Sequence, residues 1–240
     1  MLQTKVVLLA STLAISGPAF ADNGCQGLPN RSQLESALAS VLGGNGGFDF
    51  PMWGTVVNRA GEVCTVAKTG DAWPGSRVIS AQKANTANAF SSSSVALSTG
   101  NLYSAVQPGS SLFGLQESNP VNPLVAYRGD YKDFGTAKDP MNGLRIGGVN
   151  VFGGGLALYD QADGKTVIGA VGVSGDTSCA DHNIAWKLRA ALGFPKVVGG
   201  VAPGGDDNII YDIDAKGVSA GGFGHPKCNP SSTPPASNPT

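Results

Sequence analysis

Charge is scarce in this chain of 240 residues. Only 14% of positions are Asp, Glu, Lys or Arg, and the 16 basic and 17 acidic side chains nearly cancel to a formal charge of −1. No basic patch stands out, so nucleic-acid binding, which draws its affinity from clustered Lys and Arg, has nothing to rest on. Histidine is confined to His182 and His225. The four cysteines show neither C-x-x-C nor Cys/His cluster spacing, which argues against a structural metal site. Long apolar runs are missing too. Val6 to Ile15 is too short to span a bilayer comfortably, and no internal repeat is visible. Low charge with 35 glycines fits a loop-rich secreted domain better than a coiled coil or a disordered chain.

The short apolar run reads as part of a leader. Lys5 supplies a positive start, and Ala19-Phe20-Ala21 is a small-residue cleavage site, so residues 1–21 are expected to be a signal peptide. Losing Lys5 takes the formal charge from −1 to −2. An even cysteine count in an exported chain predicts two disulfides among Cys25, Cys64, Cys179 and Cys228. Three pairings are open. Cys25–Cys64 with Cys179–Cys228 is preferred, because it ties each terminal arm to the core. A periplasmic or secreted location follows.

Periodicity places the elements. Leu34, Leu38 and Leu42 predict a helix over 31–42, with Ser32 and Glu35 as its capping box. Met52 to Asn58 and Val63 to Lys68 predict a hairpin turned by Arg59-Ala60-Gly61. An alanine-rich helix is expected from Ser76 to about Ser91, where small residues allow close approach to a sheet. Residues 102–115 read as a loop with short turns. Residues 117–148, rich in Asn, Pro, Gly and Asp, read as an elaborated surface loop. Val149 to Tyr159 and Thr166 to Val173 form a second hairpin through Asp163-Gly164, and Gly153-Gly154-Gly155 marks a bulge or a close backbone approach. Asn208 to Ile213 is a candidate short strand. Residues 201–240 form an extension expected to be disordered after about Cys228. The order of helices and hairpins gives an α+β sandwich around a mainly antiparallel sheet, one domain over 22–200.

The most informative stretch is Gly169 to Gly193. A buried strand, Ile168 to Val173, ends in Ser174-Gly175-Asp176. A helix then starts, with Ser178 able to cap it and Ile184, Leu188 and Leu192 as its apolar stripe. Gly193 and Pro195 stop it. Cys179, Asp181 and His182 sit at its start, where free N–H groups and the macrodipole attract anions.

Gly169-Ala-Val-Gly-Val-Ser-Gly175 resembles the signature of the GlcG/HbpS family of haem-binding proteins, whose domain also forms the C-terminal part of PduO-type proteins. Val56 to Gly61, Ala81 to Ala87, Gln107-Pro108-Gly109 through Leu115, and Gly153 to Leu156 agree in order and spacing, so the likeness spans roughly Arg31 to Phe194. The resemblance implies a profilin-like arrangement, homo-oligomers, and haem or a related tetrapyrrole as small-molecule ligand.

Candidate site residues follow, each with a plainer alternative. His182 is the candidate iron ligand, or else a surface histidine. It departs from the acidic or polar residue usual in the family. Lys83 can meet a propionate, or snorkel to solvent, with Arg77 as second candidate. Phe90, Leu112 and Phe113 can wall a pocket or belong to the core. Ser174 and Gly175 form the bend beside the ligand. As a nucleophile, Ser174 lacks G-x-S-x-G spacing. His225 reads as part of a turn near Cys228. Tyr103 and Tyr127 read as surface aromatics. Asp206, Asp207, Asp212 and Asp214 match no EF-hand order and are expected to be solvated. The leading expectation is an exported haem-binding protein with no membrane span after leader removal. Two alternatives stand beside it. One is an enzyme on the same scaffold that degrades haem or transforms a small carboxylate, against which the missing acid–base set counts. The other is a ligand-free structural protein.

Overall fold

The computed structural model describes residues 24–236, so the expected leader lies outside the described residues. Its elements are α1 (Arg31–Ser40), β1 (Trp53–Asn58), β2 (Val63–Lys68), α2 (Pro74–Phe90), α3 (Leu115–Ser118), α4 (Pro123–Ala126), β3 (Gly155–Tyr159), β4 (Val167–Ser174) and α5 (Ser178–Ala191). Both hairpins form, and β1 pairs with β4, giving one sheet of order β2–β1–β4–β3, antiparallel at every joint. This is the expected α+β architecture.

Alternation along the strands supplies two faces. Val56, Leu156, Leu158, Val171 and Val173 pack against α1 and α5 through Leu34, Leu38, Ile184 and Leu188. Leu34 and Leu38 are fully buried, and each contributes about 1.5–3 kcal/mol. The opposite face carries Trp53, Val57 and Ala170 and receives Val78, Ala81, Ala84 and Ala87 of α2. The small side chains let α2 lie close. A Cβ at Gly172 would collide with the Ser80 carbonyl.

Local competition moves several boundaries. The capping box of α1 is Asn30 with Gln33, not Ser32 with Glu35. Asn30 Oδ1 accepts the Gln33 N–H at 3.0 Å and Gln33 Oε1 accepts the Asn30 N–H at 2.9 Å. Glu35 instead pairs with Arg31. Strand β3 starts at Gly155 and not at Val149, because side chains take the backbone donors before it. The Gly153 N–H goes to Ser178 Oγ at 2.8 Å and the Gly155 N–H to Thr99 Oγ1 at 2.9 Å. No strand forms over 208–213. Only an isolated bridge joins Ile213 to Ser219.

The insertion at 117–148 is more than a surface loop. Ala126, Met141 and Ile146 are buried in the cluster under α2. The segment after Cys228, expected to be disordered, makes specific contacts as far as Ala236. Asn229 Nδ2 donates to the Gly46 carbonyl at 3.1 Å, and Trp186 Nε1 to that of Ala236 at 3.1 Å. The two disulfides are Cys25–Cys64 and Cys179–Cys228. Among the described residues no helix is long and apolar enough to cross a membrane.

Candidate functional site

The start of α5 is where the sheet, α2 and the C-terminal extension meet. Thr177, not Ser178, is its N-cap and accepts the Ala180 N–H at 3.2 Å. One turn in, Asp181 Oδ1 accepts the Asp176 N–H at 2.9 Å, and Oδ2 takes Lys83 Nζ at 2.7 Å. Lys83 Nζ also donates to the Val173 carbonyl at 3.1 Å. One buried ion pair thus ties α2, the end of β4 and α5. Gly153 and Gly154 make room for it. A Cβ on Gly154 would press on the Val173 carbonyl and lie 3.1 Å from Lys83 Nζ, and one on Gly153 would strike the Ser178 carbonyl. Burial pushes the Asp181 carboxyl up to about 6 and the Lys83 ammonium down, against their mutual attraction.

One stripe of α5 (Ser178, His182, Trp186 and Arg189) faces the extension. Ser178 Oγ lies 2.7 Å from His225 Nε2, and His225 Nδ1 lies 2.7 Å from the Pro226 carbonyl. A carbonyl only accepts, so Nδ1 carries the proton and Nε2 accepts from the serine. His182 Nε2 lies 3.2 Å from Asn208 Oδ1, the Ile209 N–H is shared between that oxygen at 2.8 Å and Nε2 at 3.1 Å, and Nδ1 has no partner. Burial, the largest cause for both rings, holds His182 down to about 3 and His225 down to about 4. The His182 ring stacks on Trp186. Arg189, fully buried, sends two nitrogens to Asp207 at 2.6 and 2.7 Å and stacks over Trp186.

The expected site residues fare unevenly. Lys83, His182, Ser174 and Gly175 do gather around the bend, but all are buried and none lines one of the larger hollows. Gly175 is packed against the Pro51 carbonyl and Met52. Lys83 neither snorkels nor waits for a propionate, since Asp181 holds it. Arg77 is engaged elsewhere, clamped by Asp139, donating to the Ala126 carbonyl at 2.8 Å and lying over the Phe134 ring. Phe90 and Leu112 share an apolar cluster, while Phe113 is 65% exposed. Asp207 is not solvated, because Arg189 takes both its oxygens. Among the described residues no group of three or more His, Cys, Asp or Glu side chains is placed to hold a metal ion.

Sequence reasoning missed the open trough farther along α5, of about 540 Å³. Trp186, Pro195, Val197 and Val198 line it, with Lys165 and Lys196 among its charged residues. The available signal was α5 itself. Only Lys187 and Ala191 of its 14 residues are exposed, so the helix needs cover on two sides.

The chain is similar to several solved structures. Among solved structures, Klebsiella pneumoniae ORFY is 26% identical, with a TM-score of 0.47 over 68% of this chain and 86% of its own. A PduOC:haem complex is 24% identical, with a TM-score of 0.48 over 69% and 94%. A double mutant of Streptomyces reticuli HbpS is 14% identical, with a TM-score of 0.41 over 80% and 99%. No curated protein sequence matches the chain. The model of the family described as haem degrading protein HbpS-like matches residues 47–190, more than half of the sequence, and the chain belongs to that family.

Proposed function

We propose that this protein binds haem or a closely related tetrapyrrole outside the cytoplasm, periplasmic or secreted, as a homo-oligomer. Membership of a haem-related family over residues 47–190 is the observation that carries the reading. The two disulfides support an oxidising compartment.

The helix-start cluster does not fit a macrocycle as it stands. His182 is sealed by Asn208 and Ile209, Lys83 is neutralised by Asp181, and Arg77 by Asp139. His182, fully buried, is therefore not placed to meet iron. These residues hold the fold together around the bend.

Titrating the purified, oxidised protein with hemin tests the reading. The expected result is a saturable Soret shift, with the subunit number read by light scattering in parallel. A spectrum equal to hemin added to buffer would refute it. The family's description also favours a second reading, haem degradation. Incubation with hemin and a reductant separates the two: a bilin product supports turnover, and unchanged haem supports binding alone.

A further inference from the structure

We propose that the trough beside α5 is the tetrapyrrole site and that it recognises the macrocycle and its carboxylates, not the metal. The inference rests on the tetrapyrrole reading and adds the place and the chemistry of recognition.

Three elements build the trough. The β3–β4 turn gives Lys165, α5 gives Trp186 and Arg189, and the chain after α5 gives Pro195 to Gly199 and Gly204 to Asp206. Its volume, about 540 Å³, lies within the roughly 300–1,000 Å³ of ligand sites. Trp186, Pro195, Val197 and Val198 offer apolar surface to a flat ring, and the two lining carboxylates, Asp163 and Asp206, are each held by backbone N–H groups of their own turn. Asp163 is used by the Lys165 and Thr166 N–H groups, and Asp206 by the Asn208 N–H at 3.1 Å. Lys165 and Lys196 are exposed; Lys165 lies in the field of Asp163, and Lys196 Nζ donates to the Gln161 carbonyl at 2.8 Å and keeps further N–H groups for a carboxylate.

Arg189 supplies an independent pointer. It is fully buried and lines the trough. Its Nη atoms are spent on Asp207 and the Ala157 carbonyl, yet its Nε has no partner. A buried N–H left unmade costs about 1–3 kcal/mol, which a ligand oxygen would recover.

The lining contains no His, Cys, Met or Tyr, the residues that ordinarily hold haem iron. Recognition therefore falls to shape, apolar contact and charge, none of which depends on iron. Much of the wall lies beyond residue 190, where the family match ends, so the site belongs to this chain's own extension.

The test compares hemin with metal-free protoporphyrin IX by absorbance and tryptophan quenching, on the full oxidised chain. Wild type is expected to bind both with Kd values within about threefold, since a protein–iron bond would separate them far more. Val198→Asp, which puts a carboxylate on the apolar wall, is expected to weaken both about tenfold or more. Lys165→Glu/Lys196→Glu, which changes two exposed side chains, is expected to weaken both about tenfold, with a urea midpoint checked against wild type. Hemin binding without protoporphyrin binding, or both variants binding like wild type, would overturn the trough while leaving the tetrapyrrole reading intact. Failure of wild type to bind either ligand would remove that reading and the trough with it.

Discussion

Acid should loosen this fold in a way that two side chains account for. His182 and His225 lie at 0% and 2% exposure, and burial is the main cause of their depressed basicity. Asp207 and Asn208 oppose the shift at His182, while Arg189 and His225 reinforce it. The Pro226 carbonyl opposes it at His225, and Lys83 reinforces it. The folded pKa values, about 3 and about 4, lie below the ordinary 6.5, so the unfolded chain takes up protons first as pH falls. The stability they represent is complete above pH 6.5 and drains away as pH drops toward the folded values. From pH 7 to pH 5 each histidine should remove about 2 kcal/mol. Asp181 acts oppositely. Its folded value, about 6, lies above the unfolded 3.8, so the folded state gains about 1 kcal/mol over the same interval. The net loss is about 3 kcal/mol. Urea unfolding near pH 7 and pH 5, with disulfides intact, measures it in wild type and in His225→Asn. Whatever the variant costs at pH 7, its pH-dependent loss should be smaller by about 2 kcal/mol, and the Asp181 contribution cancels in the comparison. Equal pH dependence in the two proteins would refute the claim that His225 is buried and neutral.

Two further outcomes follow from the same corner. Lys83→Met strands the Asp181 carboxylate and should cost about 3–5 kcal/mol by urea unfolding, and Lys83→Met/Asp181→Leu should recover most of it, because two apolar partners leave no buried charge. Cys179→Ser/Cys228→Ser opens a closure of sequence separation 49 and should cost about 4 kcal/mol. Hydrogen exchange should then rise first in residues 178–182 and 225–228. Uniform protection across that stretch would count against the bridge as the latch of the extension.

Much of this architecture was readable from the sequence because it rests on local signals. Leu34 and Leu38 announced α1, the Arg59-Ala60-Gly61 turn fixed the first hairpin, and Gly193 stopped α5. The glycine triplet at the start of β3 reads as a bulge or a close approach, and Gly153 and Gly154 are pressed against α5 and β4. The site was less legible, because burial reverses the meaning of a charged residue. Lys83 on an alanine-rich helix reads as a ligand donor or a solvent-facing amine. Nothing within its own helix reveals that Asp181, 98 residues away, will neutralise it. Arg77 and Asp139, and Arg189 and Asp207, present the same difficulty over separations of 62 and 18 residues. Long-range ion pairs carry no periodicity, so pattern reasoning assigns both partners to solvent.

The extension is the part for which family likeness had least to say, and it changes what the likeness implies. The matched segment ends at residue 190, inside α5. Beside Gly153 and the Ala157 carbonyl of the matched segment, the cover on the outer stripe of that helix comes from after it: Asp207 on Arg189, Asn208 on His182, His225 on Ser178 and the Ala236 carbonyl on Trp186. A residue of the shared core can therefore keep its place in the fold and lose its access. His182 does so, since its one free nitrogen is sealed beneath the chain. The same crossing that closes the helix start lines the trough with Gly199 and Asp206. The added segment thus covers the end of the helix to which the family signature directs attention and, farther along, walls a trough in which Trp186 and Val198 present apolar surface.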